Sequence, residues 1–135
     1  MIEKIREYFI ENNIIDNKSR INVDFLGEKA EEFAIIPMPV NPILEQYVNG
    51  SSLRQFQFQL ISCNHYGANV MQNMANSTFY EKLYDLIESN NKKRIYPQID
   101  GIESIECLNN GAIVDATTNT ARYSIQMRIT YYKEG

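Results

Sequence analysis

The sequence predicts an α+β domain with a mainly antiparallel sheet and two main helices packed on one face of that sheet. Three observations lead to this fold class. Apolar residues recur at helical spacing in two segments, several other segments alternate strictly between apolar and polar residues, and most of the alternating segments follow one another without a helix between them. This order is typical of α+β proteins. The 135 residues fit a single domain, 1–135.

The N-terminal part of the chain predicts a helix followed by a β-hairpin. Ile2, Ile5 and Phe9 recur at helical spacing among charged residues, so this helix is expected to belong to the fold and not to be a signal peptide. Alternation then predicts two strands joined by a turn at Gly27. The expected bounds are 2–12 for the helix, 21–25 for the first strand and 33–37 for the second, which should end at Pro37 or lie at an edge.

The central part predicts a strand and a second helix. Phe56, Phe58 and Leu60 share one face of the strand, whereas the glutamines at 55, 57 and 59 share the other. In the helix, Thr78 and Glu81 have the spacing of a capping box, which predicts a helix start at Thr78. The helical pattern over 69–76 is compatible both with a separate turn of helix and with one continuous helix.

The C-terminal part predicts a three-stranded meander. Asn109, Asn110 and Gly111 favour a type I′ turn, because Asn-Gly tolerates the positive φ that this turn needs. The last strand alternates without a break, which fixes its register. The expected strands lie at 102–108, 112–116 and 122–131.

Residues 38–52 are the least regular part of the sequence. Connections longer than about 12–15 residues are uncommon in compact domains and usually functional. This one contains Pro39 and Pro42, which limit its freedom, and apolar side chains that suggest burial. We therefore expect an extended arm at about 38–52 that meets a partner.

The charge and cysteine content narrow the classes of function. The net charge of −4 and the pI of about 5.0 disfavour sequence-independent nucleic-acid binding, and the basic cluster at 92–94 suits the end of a helix. No apolar run is long enough to predict a transmembrane helix. Two cysteines are too few for a disulfide framework, so a reducing compartment is expected for synthesis.

One small constellation could carry chemistry. Cys63, His65 and Cys107 are candidate metal ligands or a candidate Cys-His pair, which leaves a small metal-binding module or enzyme as an alternative function. The spacing typical of zinc sites is absent, and so is a fourth ligand. Gly50-Ser51-Ser52 matches neither a nucleophile elbow nor a phosphate-binding loop. We therefore assign no catalytic, cofactor-binding or metal-binding residues.

Segments spread over nearly the whole chain resemble a family of small phage proteins. The strongest similarity begins at Asn41-Pro42-Ile43 and continues through Tyr47-Val48, Gly50-Ser51-Ser52 and Arg54-Gln55. Shorter similar segments flank it: Met1 to Tyr8, Ile21 to Gly27, Tyr66-Gly67-Ala68, Phe79 to Lys82, Asp115-Ala116 and Thr120 to Gln126. In order and spacing, these segments resemble the minor capsid, tail-terminator-like proteins of Firmicutes phages and phage tail-like particles.

The resemblance implies a structural protein of the virion tail or of a tail-like particle, assembled in the host bacterial cytoplasm. Family members form a ring, typically a hexamer, on the head-proximal end of the tail tube. The ring ends tube polymerisation and joins the tail to the neck, or anchors the sheath if the tail contracts. The partners implied are further copies of the chain, the tail tube protein, and neck or sheath proteins. No enzyme activity, metal or cofactor comes with the family. The alternative is a head–tail connector in the neck, which would also assemble into a ring.

A ring of this kind predicts which residues meet a neighbour. Head-to-tail rings need two different complementary patches on each subunit. We expect one patch to combine the arm with the polar glutamine face of the following strand. The candidate interface residues are Pro39, Asn41, Pro42, Tyr47, Ser51, Ser52, Arg54, Gln55 and Gln57. Acidic residues at 27–32 are expected to line a lumen through which DNA passes without sticking.

Overall fold

The computed structural model describes residues 1–12, 20–23, 32–65, 70–116 and 120–135. These residues form two helices and seven strands. In chain order the elements are α1 (Ile2–Glu11), β1 (Arg20–Val23), β2 (Glu32–Pro37), β3 (Ile43–Gln46), β4 (Ser52–His65), α2 (Val70–Lys93), β5 (Ile102–Cys107), β6 (Ala112–Ala116) and β7 (Thr120–Lys133).

All seven strands belong to one sheet, and its centre is the pair β4–β7. The strand order is β1-β2-β4-β7-β5, with β3 also paired to β4 and β6 also paired to β7. β4 and β7 run antiparallel over their full 14 residues, from Ser52 opposite Lys133 to His65 opposite Thr120. The predicted α+β class with a mainly antiparallel sheet is confirmed.

The core lies against one face of this central pair. Phe58 is opposite Met127 and Leu60 is opposite Ile125, and all four side chains are fully buried. Because successive side chains of a strand point to opposite faces, the glutamines of β4 lie on the other side of the sheet. The alternation in the sequence therefore predicted correctly which face of each central strand meets the core.

Both helices pack on the core face. The Phe9 ring of α1 meets the Phe58 ring edge to face, with 6.2 Å between ring centroids. In α2, the Tyr80 ring stacks on Tyr123 at 5.6 Å, and its hydroxyl forms a short hydrogen bond with the buried Ser62 hydroxyl. Phe58 and Ser62 share a face of β4. The predicted packing of two helices on one face is confirmed.

A polar cluster fastens α1 to the end of α2. The Tyr8 hydroxyl donates to the Ile95 carbonyl oxygen at 2.8 Å and accepts from Asn90 Nδ2 at 2.9 Å. Asn90 is almost fully buried, so these bonds satisfy a polar side chain that would otherwise be costly inside the core. The Tyr8 hydroxyl is a donor at neutral pH, and burial raises the pKa of Tyr8 still further above its ordinary value.

Helix α2 begins at Val70 and runs without interruption to Lys93, so the continuous helix, one of the two possibilities that the sequence left open, is the one that forms, and Thr78 is not its N-cap. Thr78 therefore lies inside the helix. Capping-box spacing also arises in a helix interior, where three-residue separations place polar side chains on one face.

No helix in the described part of the chain has the length and apolarity needed to cross a membrane.

The predicted N-terminal hairpin is also wrong. β1 and β2 pair in parallel, with Arg20 opposite Glu32 and Val23 opposite Ile35. A tight turn cannot join parallel strands, so a turn at Gly27 alone cannot account for the pairing. Residues 24–31, which connect the two strands, lie outside the described residues. Alternation predicts that a segment is a strand, but it leaves the direction of the neighbouring strand open.

The predicted hairpin at 109–111 is replaced by an interrupted edge strand. β5 and β6 lie one after the other along the same edge of β7. At the interruption, the Leu108 amide donates to the Gln126 carbonyl oxygen at 2.8 Å, and the Gln126 amide donates to Asn109 Oδ1 at 2.9 Å. The Asn109 side chain thus substitutes for a backbone acceptor while the chain continues in the same direction.

Gly111 has a packing role. Its φ is not positive, unlike those of Gly50 and Gly101, so a type I′ turn does not explain it. A Cβ atom built on Gly111 would overlap the side chain of Tyr80. The glycine is therefore required because α2 presses an aromatic ring against the backbone at this point.

We expect Gly111→Ala to destabilise the protein by about 2 kcal/mol, because the added methyl group must displace a ring from a close-packed core. Chemical denaturation measures the free energy of unfolding. Tyr80→Leu provides the second arm of a double-mutant cycle, in which Gly111→Ala should cost much less. Equal costs in both backgrounds would mean that backbone conformation, and not the Tyr80 ring, requires glycine.

Candidate functional site

Most of the 38–52 segment is a β-hairpin, although the sequence predicted an irregular arm. β3 pairs antiparallel with the start of β4, with Ile43 opposite Arg54 and Gln46 opposite Ser52. The register shifts between Ile43 and Glu45, which marks a bulge in β3. This bulge breaks the two-residue period and explains why the sequence pattern did not reveal the strand.

The hairpin closes through a tight turn at residues 47–50. The Gly50 amide donates to the Tyr47 carbonyl oxygen at 3.1 Å, and the Tyr47 amide donates to the Ser51 carbonyl oxygen at 2.9 Å. Gly50 has a φ of 89°, the left-handed conformation typical of glycine in the bulge that follows such a turn. Asn49-Gly50 was the signal in the sequence that could have identified this hairpin.

The base of the hairpin is attached firmly to β4. The Met38 amide donates to the Gln57 carbonyl oxygen at 2.9 Å, and the Gln55 amide donates to the Pro42 carbonyl oxygen at 2.8 Å. The Gln55 side chain adds a bond from Nε2 to the Asn41 carbonyl oxygen at 2.8 Å. Residues 38–42 thus run alongside β4 and hold the hairpin in a defined position.

The tip of the hairpin exposes apolar surface. Every residue from 41 to 50 is exposed, although the composition suggested burial. Val48 is fully exposed, and the other large apolar side chains of the tip are exposed by more than a third: Ile43, Leu44 and Tyr47. Single exposed apolar residues are ordinary, but a contiguous group marks a contact site. We call residues 43–50 the hairpin tip and take it as the candidate site.

The hairpin tip carries a single charged side chain, Glu45. The Tyr47 hydroxyl donates to Glu45 Oε2 at 2.8 Å, and this bond raises the pKa of Tyr47. The Tyr47 ring also lies near the Tyr132 ring of β7, with 6.3 Å between centroids. These contacts orient the Tyr47 side chain before any partner arrives.

The structure separates the candidate interface residues of the arm into two groups. Pro39, Asn41 and Pro42 are exposed, as is Tyr47. By contrast, Ser51 and Ser52 are only 3% and 2% exposed. Ser51 Oγ donates to Asn49 Oδ1 at 2.5 Å, so it serves the turn. Because the protomer already buries both serines, they leave the candidate contact set.

The remaining candidates lie on opposite faces of β4. Arg54 shares the helix-bearing face with Ser52, whose Oγ accepts a bond from Arg54 Nε at 3.0 Å. Gln55 and Gln57 lie on the other face, where Gln57 Nε2 donates to Gln55 Oε1 at 2.9 Å. The two-residue period of β4 therefore separates Arg54 from the two glutamines, which were expected to share one patch with the arm.

A second exposed apolar site lies at the other edge of the sheet, and the sequence pattern does not reveal it. Leu108 is 39% exposed and Ile113 is 45% exposed, and both lie where β5 gives way to β6. This segment is at the opposite edge of the sheet from β3. The sequence pattern predicts these residues as the flanks of a hairpin, which does not indicate an exposed edge.

The alternative site built on the two cysteines does not assemble. Cys63 is opposite Arg122 on β7, whereas Cys107 is opposite Met127, five positions further along and on the core face. Five residues of strand span about 17 Å, and an odd separation places the two thiols on opposite faces of the sheet. Neither cysteine forms a disulfide. His65 ends β4, and the described residues contain no group of three or more metal-ligating side chains.

The structure describes the basic cluster at the end of α2 but only the last residue of the acidic segment. Lys92 and Lys93 lie in the last turn of α2, where positive charge complements the helix dipole, as expected. Lys92 Nζ is also 3.6 Å from Glu88 Oε1 in an exposed pair. Most of the acidic segment 27–32, expected to line a lumen, lies outside the described residues; its last residue, Glu32, begins β2.

We expect the Cys107 thiol to react slowly with alkylating agents. Burial, helped by the nearby carboxylates of Glu106 and Glu88, raises its pKa to about 12. At pH 8, iodoacetamide should label it at least about a hundredfold more slowly than an unfolded cysteine, whose pKa is about 8.5. Since the folded state holds the proton more tightly, the free energy of unfolding should also fall as pH rises above the ordinary value of 9.0. Fast labelling of the folded protein, located by mass spectrometry, would contradict the burial.

Comparison with known proteins identifies no family for this chain. A scan against protein-family models finds no match, and a search of curated proteins finds no match either. Function is therefore argued from the geometry of the hairpin tip and from the resemblance of the sequence to tail-terminator-like proteins.

Proposed function

We propose that this protein is a structural subunit of a phage or phage-like tail, which assembles into a ring on the head-proximal end of the tail tube. The ring ends tube polymerisation and joins the tail to the neck. The observation that carries this proposal is the hairpin tip, an apolar surface held in place on a firmly hydrogen-bonded base. The resemblance of the sequence to tail-terminator-like proteins is the reason for proposing a phage or phage-like tail as the particle.

The way in which the hairpin is attached to the sheet favours a docking role for its tip. The second strand of the hairpin is the start of β4, which continues into the centre of the core. An element that is already ordered loses little conformational entropy when it docks, so more of the contact energy is available for binding. Covering the apolar side chains of the tip also removes them from water, which favours association.

A second candidate function, the head–tail connector, shares the ring and differs in position. A terminator contacts the last ring of the tube, whereas a connector contacts only neck proteins. Imaging of assembled particles separates the two, because the position of the ring along the tail axis is read directly from the map.

The proposal is tested by the oligomeric state of the protein in solution and on tails. Light scattering reports the mass of the purified protein, and cryo-electron microscopy of assembled tails reports the ring. A ring in either setting supports the proposal. A strict monomer in solution, together with its absence from tails or its presence there as a monomer, would refute it.

We expect Val48→Glu to prevent ring formation while leaving protomer stability unchanged within about 0.5 kcal/mol, since Val48 is fully exposed. Gln98→Glu is the matched control, because it adds the same charge at another exposed position and should leave assembly intact. Size-exclusion chromatography with light scattering measures assembly, and thermal denaturation measures stability. Assembly of Val48→Glu at wild-type concentration would show that the tip is not in the interface.

We expect Pro42→Gly to weaken assembly more than folding, because it loosens the base of the hairpin without removing the carbonyl that accepts from Gln55. Arg54→Ala should affect folding instead. It removes the bond to the Ser52 hydroxyl, so it should lower protomer stability by about 1 kcal/mol. If Pro42→Gly unfolded the isolated protomer, the segment would be part of the core and not a docking element.

A further inference from the structure

A head-to-tail ring requires a second patch that receives the hairpin tip, and the exposed apolar residues limit the choice. Apart from the tip and the first residue, Met1, large apolar side chains of the described residues are exposed in two places. One is the groove beside α1, which contains Ile95. The other is the edge formed by residues 108–113, which contains Leu108 and Ile113. We call this second place the 108–113 edge.

The groove beside α1 is a poor receptor for an apolar tip. It is lined by the charged side chains of Lys4, Glu7 and Glu11, and its neighbouring part by those of Arg94 and Asp100. Seating apolar groups there would remove these charges from water without supplying partners for most of them, which is costly. Interface centres are accordingly depleted in charged residues.

The 108–113 edge has the opposite character. Residues 108–113 carry no charge, and their polar side chains are the neutral amides of Asn109 and Asn110. The hairpin tip is similar, with amides, apolar groups and the single charge of Glu45. Two weakly charged apolar surfaces can be buried together with little desolvation penalty.

The topology also places the two surfaces correctly for a ring. β3 is paired on one side to β4, and no described strand covers its other side. β5 and β6 lie at the far edge of the sheet, beyond β7. Within β5, Asn91 of α2 closes the outer edge by accepting a bond from the Ile105 amide at 3.1 Å. The first exposed residue beyond this closure is Leu108, where the exposed edge begins.

We propose that the hairpin tip of one copy docks against the 108–113 edge of the next copy. The contact rests on the proposed ring function and names the two surfaces that close the ring. Because both surfaces lie at edges of the sheet, docking by strand addition extends the sheet from one subunit to the next. The two surfaces differ, so the contact is heterologous and repeats around a ring.

Pairwise crosslinking tests the contact directly. Val48→Cys and Ile113→Cys chains, each with its own tag, are co-expressed and treated with a short bismaleimide. Wild-type protein is the background control, since Cys63 is buried and Cys107 holds its proton tightly. The expected result is a product that carries both tags, with none from either variant alone. Leu44→Cys with Leu108→Cys is a second pair that guards against local disruption of the first.

A chain that carries both Val48→Cys and Ile113→Cys should give a ladder of products that stops at the number of subunits in the ring. Four outcomes would overturn the proposed contact. Crosslinking of Val48→Cys to itself would indicate a two-fold contact between hairpins. Crosslinking of Val48→Cys to Gln98→Cys would place the tip in the groove beside α1. Intact oligomers that give no product with either cysteine pair would leave the ring function standing without this contact. Absence of any oligomer, in solution and on tails, would remove both the contact and the ring function.

Discussion

The antiparallel pairing of β4 with β7 is the interaction on which the rest of the structure depends. It fixes the register of two 14-residue strands and thereby assigns every side chain of both to one of two faces. One face receives α1 and α2, and the other carries the glutamines. The free edges of the same pair hold all the other strands except β1, which joins through β2. The hairpin tip and the 108–113 edge both take their positions from this pair.

The alternation of residues in β4 and β7 was sufficient to predict the core, because a strand with one apolar face has only one register that buries it. Phe58, Leu60, Ile125 and Met127 were all on the expected face. Helix α1 was predicted for a similar reason, since Ile5 and Phe9 need a partner surface. What these patterns share is that each is decided by residues close together in sequence.

The errors in strand pairing concern contacts between residues that are distant in sequence. The parallel pairing of β1 with β2 and the end-to-end arrangement of β5 and β6 depend on which edge is free, and no local pattern encodes that. Gly111 shows the same limit. Its position after two asparagines suggested a turn, whereas the ring of Tyr80, more than thirty positions earlier in the sequence, is what requires glycine. The burial of Ser51 and Ser52 could not be predicted from the local sequence pattern, because it depends on the turn at 47–50 and on the pairing of β4 with β7.

The central pairing also has a kinetic consequence. Ser52 pairs with Lys133, 81 positions later, and even the closest partners, His65 and Thr120, are 55 positions apart. Closing such long loops before any contact energy is gained makes folding slow for a chain of this size. The β3–β4 hairpin is local, so its apolar tip can form while β7 is still unpaired. During that interval the unpaired edge of β4 and the tip are exposed together, and the new chain is most prone to aggregate before its sheet is complete.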